Sequence, residues 1–250
     1  MIADRIPVGW GRAVFVGLSV IILISFVEVF TLPIGHEHVG LLLALVEAAL
    51  LALSVPLVLA VSSELAFVNR RRDNASFGIA RARRWRTGIA IFVPAVVVTG
   101  IITFAISSAL GLTSSTAIDS EHTTDGYKLL IAVLGVWVAP WTEEMAVRGF
   151  LFSALWRRFG FWPGAILSGF TWSALHGTAG VLLTFTCVGV LAAWLRRYTG
   201  SILPGVFLHG SWNAVAVMLT GAGWLVLPPL ALFYSSLYAV RRWLPRPEPA

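Results

Sequence analysis

The chain has 250 residues, of which 58% are hydrophobic and only 12% are charged, and its formal net charge is +6 at pH 7. Soluble domains carry about 25% charged residues, so this composition excludes an ordinary soluble protein. The basic residues stand in short clusters between long apolar runs, which argues against nucleic-acid binding, and the single cysteine excludes an internal disulfide.

Apolar runs of roughly 17–25 residues recur along the chain and are typical of transmembrane helices. The first run follows a basic start but continues too far for a cleaved signal peptide, so we interpret it as a retained helix. The fifth and sixth runs are short, so one of them could be tilted or re-entrant. The predicted spans cover residues 11–32, 39–66, 88–111, 128–156, 162–177, 180–195, 201–219 and 223–240.

These spans predict an all-α polytopic membrane protein with about eight transmembrane helices. Residues 1–250 form one predicted transmembrane domain, with a disordered tail at 244–250. Arginines fill alternate connections between the spans, so the positive-inside rule places both termini in the cytoplasm. Arginine greatly outnumbers lysine, of which Lys128 is the sole example, and this bias suggests a bacterial protein of the cytoplasmic membrane.

Three polar clusters interrupt the later spans. Glu143, Glu144 and Arg148 lie in the fourth span, His176 ends the fifth, and the seventh contains both His209 and Asn213. An ionisable residue at the bilayer centre costs about 3 kcal/mol on insertion scales, so such residues usually serve a function. At about 1.5 Å per helical residue, Glu143, His176 and His209 lie roughly 18–21 Å from the arginine-bearing side. The three clusters are therefore predicted to share one layer of the membrane.

Helical spacing assigns different roles to the two glutamates. Glu144 and Arg148 are four residues apart, so they can form an intrahelical ion pair. Glu143 points about 100° away from Glu144 around the helix and is available as a general base. Pro140 is expected to kink or loosen the helix just before this pair. Two structural alternatives are an ion-pair cluster that joins helices and histidines that only form hydrogen bonds between helices.

The motifs of this region resemble those of the CPBP family of intramembrane proteases, which includes the type II CAAX prenyl endopeptidases and relatives linked to bacteriocin immunity. TEEMAVRGFLF is similar to the EExxxR motif, WSALH to FxxxH, and HGSWN to HxxxN. The resemblance covers residues 128–219, the predicted catalytic core. One position departs from the pattern, because Trp172 replaces the phenylalanine of the second motif.

The resemblance implies that Glu143 and His176 activate the water that attacks a peptide bond. His209 and Asn213 would then stabilise the oxyanion or help to bind a metal. Glu144, Arg148 and Trp172 would support the site. Two histidines, His176 and His209, and a glutamate could bind Zn²⁺ and leave one coordination position open. A glutamate–histidine pair could also act without a metal. The metal-free interpretation is preferred, since Glu143 cannot easily serve as both ligand and base.

The sequence therefore predicts an intramembrane endopeptidase that lies in lipid and hydrolyses a peptide or protein substrate with a membrane-associated terminus. A CAAX-type substrate follows only from the family resemblance, and no nucleic-acid partner is expected. The alternative is a transporter, immunity or scaffold protein that uses the polar cluster as a proton relay or as a structural element. Glu47, in the second span, could line a substrate path or form a structural hydrogen bond.

Overall fold

The computed structural model describes residues 77–112, 125–174, 176, 179–219 and 223–244. The first two predicted spans, Glu47 and most of the predicted tail lie outside these residues. Within them the chain is helical and has no strand. The helices are α1 (Trp85–Ala109), α2 (Asp125–Phe159), α3 (Phe161–Ala174), α4 (Ala179–Thr199), α5 (Leu203–Val217) and α6 (Leu227–Trp243, after a 3₁₀ turn at Gly223–Val226).

Four helical segments of the described residues are long and apolar enough to cross a membrane. They are Trp85–Ala109, Lys128–Phe159, Val181–Thr199 and Gly223–Trp243. α3 and α5 correspond to the predicted spans 162–177 and 201–219 but have only 14 and 15 residues. The predicted sixth span, in contrast, is not short, because α4 has 21 residues. The chain is an integral membrane protein, and the total of eight spans remains a prediction.

The helix that carries the glutamates, α2, changes its backbone geometry twice. Two segments have π-helical hydrogen bonding, Val133–Val138 and Glu144–Leu151. Pro140 lies at the start of the short α-helical segment between them. Proline has no N–H to donate to the preceding turn, so the ladder loosens there, as the sequence predicted. Such π segments are frequent at functional sites.

Glycines bring α3 and α4 into close contact. A Cβ atom added at Gly189 would lie only 2.6 Å from the Cα of Gly169, and one at Gly169 would lie 2.8 Å from the Thr186 carbonyl oxygen. Small residues of this kind allow membrane helices to approach backbone to backbone. This contact fixes α4 against the helix that ends in the second motif. α1 also packs against α4. The side chain of Phe104, in α1, is 73% exposed, as expected for a side chain that faces lipid.

The arginine-bearing ends of the helices lie together. Before α1, Arg81 donates hydrogen bonds to the last carbonyls of α6, those of Arg241 and Arg242, at 2.9 and 2.7 Å. Arg84 lies over the ring of Tyr198, near the end of α4. A single basic end of the bundle is what the charge pattern of the sequence predicted, while its cytoplasmic orientation remains a prediction.

Candidate active site

The two glutamates of α2 face different partners. Arg148 Nη1 lies 3.1 Å from Glu144 Oε1, so the ion pair predicted from their spacing is present. The pair is deeply buried, with Glu144 3% and Arg148 1% exposed. Glu143, which is 6% exposed, instead accepts a hydrogen bond of 2.6 Å at Oε2 from the indole Nε1–H of Trp172. The adjacent carboxylates therefore have separate environments.

His209 of α5 lies between the two carboxylates. Its Nε2 is 3.9 Å from Glu143 Oε2, and its Nδ1 is 3.5 Å from Glu144 Oε1. The predicted meeting of the first and third motifs is therefore observed, but the nearer carboxylate is Glu144, not Glu143 as the sequence suggested. A largely buried imidazole between two carboxylates can hold or transfer a proton at either nitrogen.

The approach of α5 to α2 depends on a glycine that the sequence analysis did not single out. A Cβ atom added at Gly205 would lie 2.6 Å from Glu144 Oε2. Any larger residue there would displace either the carboxylate or the helix. Gly205 lies one turn before His209, which places it on the same face of α5 and would have been a signal in the sequence.

Trp172 connects the second motif to the other two. Its ring stacks on Phe185 of α4 at 5.3 Å, and the Arg148 guanidinium lies 4.6 Å from its centroid. The rings of His176 and His209 contact it edge-on at 4.8 and 5.9 Å. Phe185 was missed by the sequence analysis, because an apolar residue within an apolar run carries no distinguishing signal.

His176 is held by the same helix that carries Trp172. Its Nδ1 lies 2.8 Å from the Trp172 carbonyl oxygen, and its ring contacts Phe185 at 5.0 Å. A carbonyl oxygen can only accept, so Nδ1 carries the proton of this hydrogen bond. In the neutral ring, Nε2 is then left with a lone pair that can accept a proton.

Asn213 does not join the carboxylate cluster. Its side-chain Nδ2 donates a hydrogen bond of 2.8 Å to the carbonyl oxygen of Gly135, in the first π segment of α2. Gly135 lies eight residues before Glu143, which corresponds to about 12 Å along a helix. The predicted site residues thus separate into a cluster around Glu143 and a contact of Asn213 at another level. The amide has a second N–H, which leaves one donor for other roles.

The grouping of donor side chains bears on whether the site could hold a metal ion. Among the residues that the structure describes, no three histidine, cysteine or carboxylate side chains are grouped to hold one ion. A catalytic zinc site usually has three protein ligands. The predicted pair of His176 and His209 therefore lacks a suitably placed third ligand within this part of the chain.

Residues 125–215 match the family model described as type II CAAX prenyl endopeptidase Rce1-like. This range contains all three motifs and every residue of the cluster described above. Residues 125–215 therefore form an Rce1-like domain, and over this part of the chain the predicted resemblance to the CPBP family of CAAX proteases is confirmed. No curated protein and no solved structure matches the chain significantly.

Proposed function

We propose that the protein is an intramembrane endopeptidase in which Glu143 activates water. The observation that carries this proposal is the contrast between two adjacent buried carboxylates. Glu144 is paired with Arg148, whereas the Glu143 carboxylate has a neutral indole donor and an imidazole as its neighbours. A buried carboxylate without a bound cation is suited to accept a proton. The Rce1-like domain supports proteolysis over the non-enzymatic alternatives.

In the proposed reaction, Glu143 accepts a proton from water while the water oxygen attacks the scissile carbonyl carbon. His176 assists the activation of this water through the lone pair on its Nε2. The negative charge that develops on the carbonyl oxygen is stabilised by His209. The proton held by Glu143 then passes to the amide nitrogen as the carbon–nitrogen bond breaks. The products are a carboxylic acid and an amine, so atoms and charges balance.

We propose the metal-free form of this reaction, because the described donor set offers two histidines without a third grouped ligand. Metal analysis of the purified protein and treatment with a chelator test this choice. The metal-free form predicts substoichiometric metal and unchanged proteolysis. Stoichiometric zinc, together with loss and zinc-dependent recovery of proteolysis, would contradict it.

The substrate is proposed to be a protein or peptide whose terminus is anchored in the membrane, with the CAAX type suggested by the family. Mass spectrometry of new protein termini can test this in membranes that contain the wild-type protein or the Glu143→Gln variant. New termini in membrane-anchored proteins are expected with the wild type alone. Equal sets of termini in the two samples would favour a non-enzymatic role.

A further inference from the structure

Trp172 occupies the aromatic position at which the resembling motif has phenylalanine. A phenyl ring has no hydrogen-bond donor, whereas an indole has one. We propose that Trp172 is a positioning residue that fixes the Glu143 carboxylate through its Nε1–H. One carboxylate oxygen is held, and the other is directed toward the reacting water. The catalytic role of Trp172 rests on the proposed function, whereas its hydrogen bond to Glu143 does not.

The geometry of the contact supports this role. The Nε1–Oε2 distance of 2.6 Å is short even for a hydrogen bond to a charged acceptor. Trp172 is 8% exposed and Glu143 is 6% exposed, so bulk water does not compete as a donor. The bond also joins α3 to α2, and it therefore fixes Glu143 relative to the second motif.

The indole is itself held from several sides. Phe185 stacks on it with an interplanar angle of 24°, and Arg148 lies over its ring. His176 and His209 contact its edges. A donor whose ring is packed in this way loses little freedom when it binds the carboxylate, and this is the condition for a precise orientation.

Replacement of Trp172 by phenylalanine separates the donor from the ring. The Trp172→Phe variant retains an aromatic surface for Phe185 and Arg148 but has no N–H. We expect kcat to fall roughly 10–100-fold, as when a partner that orients a reacting group is removed, with KM nearly unchanged. Trp162→Phe is the matched control, because Trp162 lies in the first turn of the same helix and is 64% exposed. The control is expected to retain wild-type kcat and KM.

A spectroscopic measurement tests the contact without any substrate. In the ¹H–¹⁵N spectrum of the protein in micelles, the resonance absent from Trp172→Phe identifies the Trp172 indole. We expect this resonance far downfield of the other indoles, and we expect it to shift in Glu143→Gln because a carboxamide oxygen is a weaker acceptor. Glu144→Gln, on the neighbouring residue, serves as the comparison and should shift it less.

The outcomes distinguish the two proposals. An indole resonance that responds to Glu143→Gln supports the positioning role, even if the wild type cleaves no peptide and the proposed function fails. A resonance at an ordinary position that ignores Glu143→Gln would overturn the inference, even if the wild type is an active protease. Equal kcat values for Trp172→Phe and Trp162→Phe would also overturn it.

Discussion

The buried ion pair between Glu144 and Arg148 makes a quantitative prediction about stability. Arg148→Met leaves the Glu144 carboxylate 3% exposed without its guanidinium at 3.1 Å. Loss of one partner of a buried pair costs about 3–5 kcal/mol, because the remaining charge is uncompensated. The variant also loses the contact of Arg148 with the Trp172 ring, which contributes up to about 2 kcal/mol when it is desolvated.

The double variant Glu144→Gln/Arg148→Met separates these two effects. It removes both charges, so only the lost ring contact and altered packing should remain, at about 1–2 kcal/mol. We therefore expect the double variant to be more stable than either single variant. Chemical unfolding in mixed micelles, followed as a double-mutant cycle, measures the difference.

The control for this cycle is Arg158→Met, at the exposed end of α2, which should stay within about 0.5 kcal/mol of the wild type. Single variants as stable as the double variant would show that Glu144 and Arg148 do not form a buried ion pair.

Three close contacts between helices can be tested by substitution. Gly205→Ala should destabilise the protein by about 1–3 kcal/mol and reduce proteolysis, because the added Cβ would meet Glu144 Oε2 at 2.6 Å. Gly100→Ala is the control: no atom lies within 4 Å of its added Cβ, so it should be neutral or stabilising. Unfolding curves and cleavage rates compare the two variants. Gly189→Ala should lower stability at least as much as Gly205→Ala, because its added Cβ meets a backbone atom of Gly169. A Gly189→Ala variant of wild-type stability would refute the close approach of α3 and α4. Asn213→Ala should lower stability by about 1 kcal/mol through its lost bond to Gly135, with kcat nearly unchanged at equal amounts of folded protein. A large fall in kcat would contradict this structural role and return Asn213 to the catalytic group.

Contacts within one helix were predictable from the sequence, because helical periodicity determines them. The spacing of Glu144 and Arg148 predicted their ion pair, and Pro140 predicted the change in helix geometry. The membrane character and the order of the six described helices also followed from the apolar runs. These features depend on residues a few positions apart, so one sequence contains the information.

Contacts between helices could not be predicted in the same way, because they depend on how each helix is rotated and how closely it approaches its neighbour. Gly205 brings α5 against Glu144, which explains why His209 lies nearer to Glu144 than to Glu143. The π segment of α2 presents the Gly135 carbonyl to Asn213, a contact that no regular helical spacing would indicate. The hydrogen bond from Trp172 to Glu143 was not predicted for the same reason, since this donor is recognisable only once Glu143 is placed beside it.

Hydrolysis of a membrane-anchored peptide by the protein in liposomes tests the role of Glu143 most directly. The wild type, Glu143→Gln and Trp162→Phe would be compared at equal amounts of folded protein, with quenched fluorescent peptides that carry a lipidated terminus. Glu143→Gln keeps the shape of the side chain and removes the base, so its cleavage rate should fall by about 10²–10⁴-fold while Trp162→Phe stays at the wild-type rate. Cleavage by Glu143→Gln at the wild-type rate would contradict the assignment of Glu143 as the group that activates water.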